Sequence, residues 1–211
     1  MLVQDAIARL KDLYQTPTSG PDDKITPEIP LQKVIALSKY IGQNHELALQ
    51  LWPYNVVGSK LLAILIDVPR KVTEKQMDDW ISQIYSREVC DLACTTLFDK
   101  TQFCSKKILE WANRDEEFVK RAAFVLIAST AANNKEESDS KFFEYLSLIE
   151  KHSSDERNFV KKSLSWALKK IGKRNSHLYS QSFMLAQKLS NSKIDCARWI
   201  GLDALKELEK R

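Results

Sequence analysis

Length, composition and charge narrow the fold class before any motif is considered. The chain has 211 residues, enough for one domain with a sizeable core, and its 5 glycines and 6 prolines are few, which predicts an all-α protein. Its 32 basic and 28 acidic residues give a net charge of only +4, so charge alone does not imply a nucleic-acid partner. The apolar runs at 61–66 and 122–128 are too short to cross a bilayer, and the start lacks the apolar core of a signal peptide.

Apolar residues recur at helical spacing along the whole chain. In chain order, the predicted helices cover 3–14, 31–41, 45–51, 56–66, 73–85, 87–97, 100–111, 115–131, 140–151, 155–171, 178–189 and 193–208. Residues 17–27 are rich in proline, glycine and polar residues and are predicted to form a loop. Thr73 and Gln76 have the spacing of a capping box at the start of the fifth helix.

The order of these segments predicts the architecture. Short polar connections join about a dozen helices, which is typical of an α-solenoid of antiparallel helix pairs with HEAT-like or armadillo-like repeats. We expect a single repeat domain over 1–211, in which 1–30 forms an N-terminal helix and loop, and a concave basic surface. No segment predicts a strand.

An internal repeat supports this architecture. The sequence from Glu117 to Ile127 aligns with that from Asn158 to Leu168 at an offset of 41 residues, a period found in HEAT and armadillo repeats. The segment 87–93 aligns with both, so Asp91, Arg121 and Lys162 occupy equivalent positions in three successive units. Equivalent positions of a solenoid lie side by side, and we therefore expect these residues to form one ridge.

The last of these segments combines positive charge with an exposed aromatic position. Five lysines and no acidic residue lie between Lys161 and Lys173, and Arg174 follows directly. Trp166 lies outside the apolar stripe of the predicted helix, one turn after Lys162. This pattern favours a nucleic-acid surface, with Lys169, Lys170, Lys173 and Arg174 contacting phosphates. A solvated helix face is the alternative for the lysines, and a place in the core is the alternative for Trp166.

The cysteines do not predict a metal site. Cys90 and Cys94 share a helix face, but there is no Cys-x-x-Cys pair and no histidine at a ligand-like spacing. Reduced thiols in an intracellular protein are the simpler interpretation. We expect neither a metal nor a cofactor.

Taken together, several motifs between residues 46 and 209 resemble the AlkD-type DNA alkylation repair family, which is built of HEAT-like repeats. The motifs are Ala48-Leu-Gln-Leu-Trp52, Val89-Cys-Asp91, Glu117-Phe-Val-Lys-Arg121, Asn158-Phe-Val-Lys-Lys-Ser-Leu-Ser-Trp166, Ile171-Gly-Lys-Arg-Asn175 and Ala197-Arg-Trp199. The resemblance implies a DNA glycosylase that releases cationic alkylated purines, such as 3-methyladenine and 7-methylguanine, without swinging the base into a pocket.

The resemblance also implies roles for individual residues. Asp91 matches the catalytic aspartate, Arg121 an arginine that holds the DNA backbone, and Trp166 one of two tryptophans that pack on the sugar of the lesion. The second tryptophan belongs one turn before the aspartate, where this chain has Arg87. The family also carries an acidic residue near the start of the helix after Trp52, where this chain has Gly58. The remaining tryptophans, Trp52, Trp80, Trp111 and Trp199, are assigned to the core.

The chemistry implied for Asp91 is reasonable, because an alkylated purine is already a cationic leaving group. One carboxylate that stabilises an oxocarbenium-like sugar and admits water is then sufficient. A structural ion pair of Asp91 with Arg87 or with Arg121 is the alternative. The replacement of tryptophan by Arg87 leaves the activity open.

Three functions remain at this stage. The first is a glycosylase for cationic alkylated purines. The second is a non-catalytic relative that binds duplex or branched DNA through the same basic groove, and the third is a protein-interaction scaffold. The first two predict an intracellular monomer that binds double-stranded DNA and no membrane.

Overall fold

The computed structural model describes residues 2–13, 30–54 and 57–210, and the regular elements in these ranges are all helical. The α-helices are α1 (Val3–Asp12), α2 (Leu31–Ile41), α3 (His45–Leu51), α4 (Val57–Ile66), α5 (Glu74–Ile81), α6 (Arg87–Leu92), α7 (Cys104–Ala112), α8 (Glu117–Asn133), α9 (Asp139–Lys151), α10 (Asn158–Gly172), α11 (Ser176–Ser190) and α12 (Asp195–Leu208). No strand occurs in these ranges, which confirms the all-α prediction.

The chain divides into two compact units, Met1–Gln76 and Met77–Arg211. The prediction of one repeat domain over 1–211 therefore stays a prediction. The loop expected at 17–27, the end of the first helix at Tyr14 and the start of the fourth at Val56 lie outside the described residues.

The first unit is stabilised by a buried carboxylate as well as by apolar packing of α4 against α2 and α3. Asp67 is 3% exposed and accepts hydrogen bonds from the side chain of Gln76 and from the backbone of Val68, each over 2.6 Å. His45 Nδ1 lies 2.6 Å from the same carboxylate. The expected capping contact is also present, since Gln76 donates its backbone N–H to the Thr73 hydroxyl over 3.1 Å.

In the second unit, α8 is the central helix. It packs against α7 and α10, and α10 packs in turn against α11 and α12. Every residue from 119 to 131 is buried, as expected for a helix that is covered on all sides. The residues at the start of α8 are therefore held by neighbours on both sides.

Several helix ends differ from the predicted ones. The helices α8 and α10 begin two and three residues later than predicted, because Glu116 and Arg157 are extended residues that precede the first turn. The predicted helix at 87–97 is α6 followed by a π-helical turn at Ala93–Leu97 and a 3₁₀ turn at Phe98–Lys100. The next helix, α7, consequently begins at Cys104 instead of 100.

Candidate functional site

The N-terminal parts of α6, α8 and α10 carry the residues expected to form a ridge. Asp91, Arg121 and Lys162 are each the fifth residue of their helix, and α8 packs against both other helices. The start of α6 is set by Ser86, whose hydroxyl accepts the backbone N–H of Val89. The ridge is thus built from corresponding positions of successive helices.

Asp91 and Arg121 form a bidentate pair between α6 and α8. Arg121 donates from Nε to Asp91 Oδ1 over 2.9 Å and from Nη2 to Asp91 Oδ2 over 2.8 Å. Two parallel charge-assisted bonds of this kind fix the carboxylate in orientation. The side chain of Arg121 is 4% exposed and that of Asp91 is 26% exposed. Asp91 therefore keeps a solvent-facing side, and its ion-pair partner is Arg121.

Arg121 also reaches the third helix. Its Nη1 donates to the backbone carbonyl of Phe159 over 2.6 Å, and its guanidinium carbon lies 6.0 Å from the centre of the Phe159 ring. That ring packs against Phe118 at a centroid distance of 5.2 Å. All three nitrogens of this buried guanidinium have protein partners, so Arg121 positions Asp91 and joins α6, α8 and α10. A phosphate contact by Arg121 would require it to leave these partners.

Arg87 is exposed, at 55% of its side chain, and pairs with its neighbour Glu88. The distances to Glu88 Oε1 are 3.1 Å from Nε and 2.9 Å from Nη2. The backbone hydrogen bond of Glu88 at the helix start, followed by the Arg87 guanidinium, lowers the pKa of the Glu88 carboxyl. The i, i+4 spacing allowed a pair of Arg87 with Asp91, but Arg87 pairs with Glu88 instead.

A π-helical turn follows Asp91 directly. The hydroxyl of Thr95 donates to the backbone carbonyl of Asp91 over 2.8 Å, and that of Thr96 donates to the carbonyl of Leu92 over 2.7 Å. Such hydroxyl bonds to the carbonyl four residues earlier bend helices, and π turns recur at functional sites. The distortion therefore lies next to the candidate catalytic residue.

The cysteines of this region face the core. Cys90 and Cys94 contact the carbonyls of Phe118 and Ala122 at 3.7 Å each. Burial, followed by the neighbouring Cys90, raises the pKa of the Cys94 thiol well above its usual value, which makes it a poor nucleophile at neutral pH. Among the described residues, no group of three potential metal ligands comes together, and no helix is long and apolar enough to cross a membrane.

One row of α10 carries Lys162, Trp166 and Lys170, and we call it the open row. Lys162 is exposed, and Trp166 and Lys170 are half-buried. In the part of the chain that the structure describes, neither lysine has a carboxylate within ion-pair distance. The two positive charges beside Trp166 are therefore available to a partner.

The neighbouring row carries Ser165 and Lys169 of α10 and Lys173, the residue that caps the C-terminus of this helix, and we call it the paired row. Lys169 donates to Asp203 over 2.8 Å and lies 3.6 Å from Glu207, and Lys173 pairs with Glu207. The sequence from 161 to 173 contains no acidic residue, but in the fold α12 places two carboxylates beside its lysines. The expected phosphate contacts of Lys169 and Lys173 stay a prediction, and they would require these lysines to leave or share the carboxylates of α12.

Arg174 also has protein partners instead of a free charge. Its Nη2 donates to the carbonyls of Lys135 and Glu137 over 2.9 and 2.8 Å, and its guanidinium carbon lies 4.7 Å from the centre of the Phe142 ring. A further bond from Nη1 to the carbonyl of Ala131 measures 3.4 Å. Arg174 fastens the connection between α8 and α9, and its expected phosphate contact stays a prediction that would require it to leave these carbonyls.

Three of the four tryptophans assigned to the core are buried, and the fourth is exposed. Trp52, Trp80 and Trp111 are buried, at 4%, 3% and 1% exposure. Trp199 was expected in the core but is 37% exposed. Its position as the fifth residue of α12 is the signal that could have revealed it, because Asp91, Arg121 and Lys162 hold the same place in their helices.

One solved structure defines the fold class of this protein. The chain is similar to a protein described as one of "a new family of proteins related to the HEAT-like repeat DNA glycosylases with affinity for branched DNA structures", with a TM-score of 0.79 and 16% identity over 100% of this chain and 95% of that one. At this identity the likeness establishes the fold alone, and the fold is an α-solenoid of HEAT-like repeats.

Two other likenesses are too weak to define the fold. They are a designed armadillo repeat protein, with a TM-score of 0.40 and 17% identity over 95% of this chain and 98% of that one, and an engineered protein, with a TM-score of 0.43 and 13% identity over 99% of each chain.

The family follows from the sequence. The family model "DNA alkylation repair enzyme" matches residues 30–208, and the chain belongs to this family. No curated protein sequence matches the chain significantly.

Proposed function

We propose that this chain is a DNA-binding protein of alkylation repair that contacts the DNA backbone mainly through the open row of α10. Arg87 is a weaker contact in this proposal, because its exposed side chain is already paired with Glu88. The observation that carries the proposal is the division of charge on α10: Lys169 and Lys173 have carboxylate partners, whereas Lys162 and Lys170 have none among the described residues. A cation that already has a partner gains less from a phosphate than one that has only water. Membership of a DNA repair family agrees with this use of the surface.

Branched DNA is a candidate substrate as well as duplex DNA. The structural neighbour is described as having affinity for branched DNA structures, and we extend this affinity to the present chain as part of the proposal. Phosphate contacts position a protein on DNA without reading its sequence, so the same open row serves both substrates. We propose that the protein acts as an intracellular monomer.

A second candidate function, hydrolysis of the N-glycosidic bond of cationic alkylated purines, is favoured by one feature of Asp91. Each carboxylate oxygen can accept more than one hydrogen bond, and the 26% exposure of Asp91 leaves part of the group accessible although Arg121 binds both oxygens. A carboxylate held in this way can stabilise an oxocarbenium-like sugar, and the leaving base needs no proton because it is already cationic.

Two cations act against a fast reaction. Arg121 offsets the negative charge of Asp91 directly, and the exposed Arg87 stands where an aromatic residue would attract a cationic lesion by about 0.5–2 kcal/mol. These positive charges repel a developing oxocarbenium ion but attract phosphate. We therefore propose DNA binding as the main function and base release as slow.

A salt titration tests the binding proposal. We expect the affinity for an undamaged duplex to fall with salt, with a log–log slope of about −0.9 per phosphate contact. A protein-interaction scaffold would have no salt-dependent affinity for DNA, and that result would overturn the proposal. A forked DNA of equal length, measured beside the duplex, tests the extension to branched substrates.

Release of 7-methylguanine from methylated duplex tests the second candidate. We expect slow release by the wild-type protein and none by Asp91→Asn, which keeps the shape of the side chain and removes its charge. Arg87→Trp should raise release and weaken binding of undamaged duplex at low salt. Equal release by Asp91→Asn and wild type would exclude Asp91 as the catalytic group.

A further inference from the structure

The ridge extends into a fourth helix. Trp199 is the fifth residue of α12, the place that Asp91, Arg121 and Lys162 hold in α6, α8 and α10. Direct packing continues in the same direction, because α12 packs against α10. Corresponding positions of successive helices thus carry a carboxylate, two cations and, at the C-terminal end, an indole.

The surroundings of Trp199 are those of an exposed ring beside positive charge. It is 37% exposed, and the ammonium of Lys161 lies 4.8 Å from the centre of its ring. Lys161 directly precedes Lys162 of the open row. On α12 itself, Arg198 is occupied by Asp195 and by the carbonyl of Ser192. Core packing leaves more than a third of this ring accessible to a ligand, and the ammonium beside it attracts an anionic group.

We propose that Trp199, with Lys161, is a stacking site for an unpaired nucleobase of a branched or single-stranded DNA segment. This inference rests on the DNA-binding function proposed above. The bases of an intact duplex are already stacked on each other, so away from the duplex ends an indole at the protein surface can stack only on a base that has left the helix. Aromatic side chains beside a basic track bind single strands in this way without reading their sequence.

A protein partner is the competing occupant of this surface, because Leu202 and Ile194 nearby on the chain are also exposed, at 48% and 49%. The base is favoured by the charge around the ring: Lys161 lies over it, and Lys162 follows in the open row. An apolar protein surface would have to desolvate these ammonium groups, whereas a nucleotide brings a phosphate to them.

The test is a double-mutant cycle on forked DNA with a short unpaired arm. One change is Trp199→Ala, and the other is an abasic site at each of the first three unpaired nucleotides in turn. We expect Trp199→Ala to weaken binding of the fork by about 5- to 150-fold, since stacking on one base has that effect, and to leave a blunt duplex of equal length unaffected. One abasic position should weaken wild-type binding similarly and have no further effect in the Trp199→Ala protein.

Matched variants separate stacking from a change in the fold. Trp199→Phe keeps a ring and should retain most of the preference for the fork, and Leu202→Ala, on the same helix, should bind both DNAs like wild type. 2-Aminopurine placed at the sensitive position should lose fluorescence on binding wild type and keep it with Trp199→Ala.

Two negative results have different meanings. Additive effects of Trp199→Ala and the abasic site, or equal binding of fork and duplex by wild type, would overturn the stacking site and leave the DNA-binding function intact. A wild-type protein that binds neither DNA would overturn the proposed function itself.

Discussion

The open row and the paired row lie one residue apart along α10 and carry two lysines each, yet the charges of these lysines have different partners. Lys169 and Lys173 face carboxylates of α12, whereas Lys162 and Lys170 face no carboxylate among the described residues. The difference arises from the helix packed alongside, not from α10 itself. A count of lysines therefore overestimates a DNA surface unless the neighbouring helices are known.

The comparison extends to the arginines of this unit. Arg121 and Arg174 are engaged by carbonyls, a carboxylate and aromatic rings, so we group them with the paired row. Each cation then has an expected signature. Removal of an engaged cation should lower stability and leave the salt slope of DNA binding unchanged. Removal of an open cation should flatten the salt slope and leave stability unchanged.

The largest effect is expected at Arg121. Arg121→Met leaves Asp91 without its partner and should lower the free energy of unfolding by about 3 kcal/mol, as for other buried pairs that lose one member. Urea denaturation measures this loss. The double variant Arg121→Met/Asp91→Leu should recover most of it, because an apolar pair of similar size restores packing without an unpaired charge. A single variant as stable as wild type would contradict the engaged role.

Arg174→Met is expected to have the next largest effect. The loss of charge-assisted bonds to the carbonyls of Lys135 and Glu137 should lower the free energy of unfolding by about 2 kcal/mol. The salt slope of duplex binding should stay unchanged. Lys170→Met on the preceding turn is the matched control, and it should flatten the salt slope and leave stability unchanged. If Arg174→Met flattens the slope instead, the arginine contacts phosphate and its sequence-based assignment was right.

The two rows can then be compared directly by salt titration. Lys162→Gln/Lys170→Gln should flatten the log–log slope of duplex binding by about 1.8, which corresponds to two phosphate contacts. Lys169→Gln/Lys173→Gln should change it by less than about half of that, because Asp203 and Glu207 already neutralise these lysines. Equal slopes for the two variants would show that the ion pairs with α12 open when DNA binds.

The sequence predicted the fold well where the periodicity of one helix was sufficient. The helices α2 and α3 begin and end as expected, and the repeat register placed Asp91 beside Arg121. The π turn after Asp91 was missed, because paired threonines are compatible with an ordinary helix. The partners of Lys169 and Arg174 lie more than thirty residues away in sequence, and no local pattern reveals which carboxylate or carbonyl the fold brings to them.

The smallest expected effect is the acid sensitivity of the paired row. Burial alone would raise the pKa of Asp203, but hydrogen bonds from Lys169 and Ser165 outweigh it and hold this pKa below its usual value. The hydrogen bond from Lys173 outweighs burial in the same way and lowers the pKa of Glu207. A carboxyl with a lower pKa in the folded state stabilises the fold above its unfolded pKa, and this contribution is lost as the pH falls through the folded value.

The stability of the wild-type protein should therefore fall as the pH drops from about 5 to below about 4, near the ordinary values of aspartate and glutamate. Lys169→Gln/Lys173→Gln should make this decline shallower by less than about 1 kcal/mol, because both carboxylates are partly exposed and their pairs are screened by water. Lys162→Gln/Lys170→Gln is the matched control and should leave the decline as in wild type, since neither lysine is paired with a carboxylate in the described part of the chain. Urea unfolding at several pH values measures the decline for both double variants. An equal change in the two variants would contradict the division of the lysines into a paired and an open row.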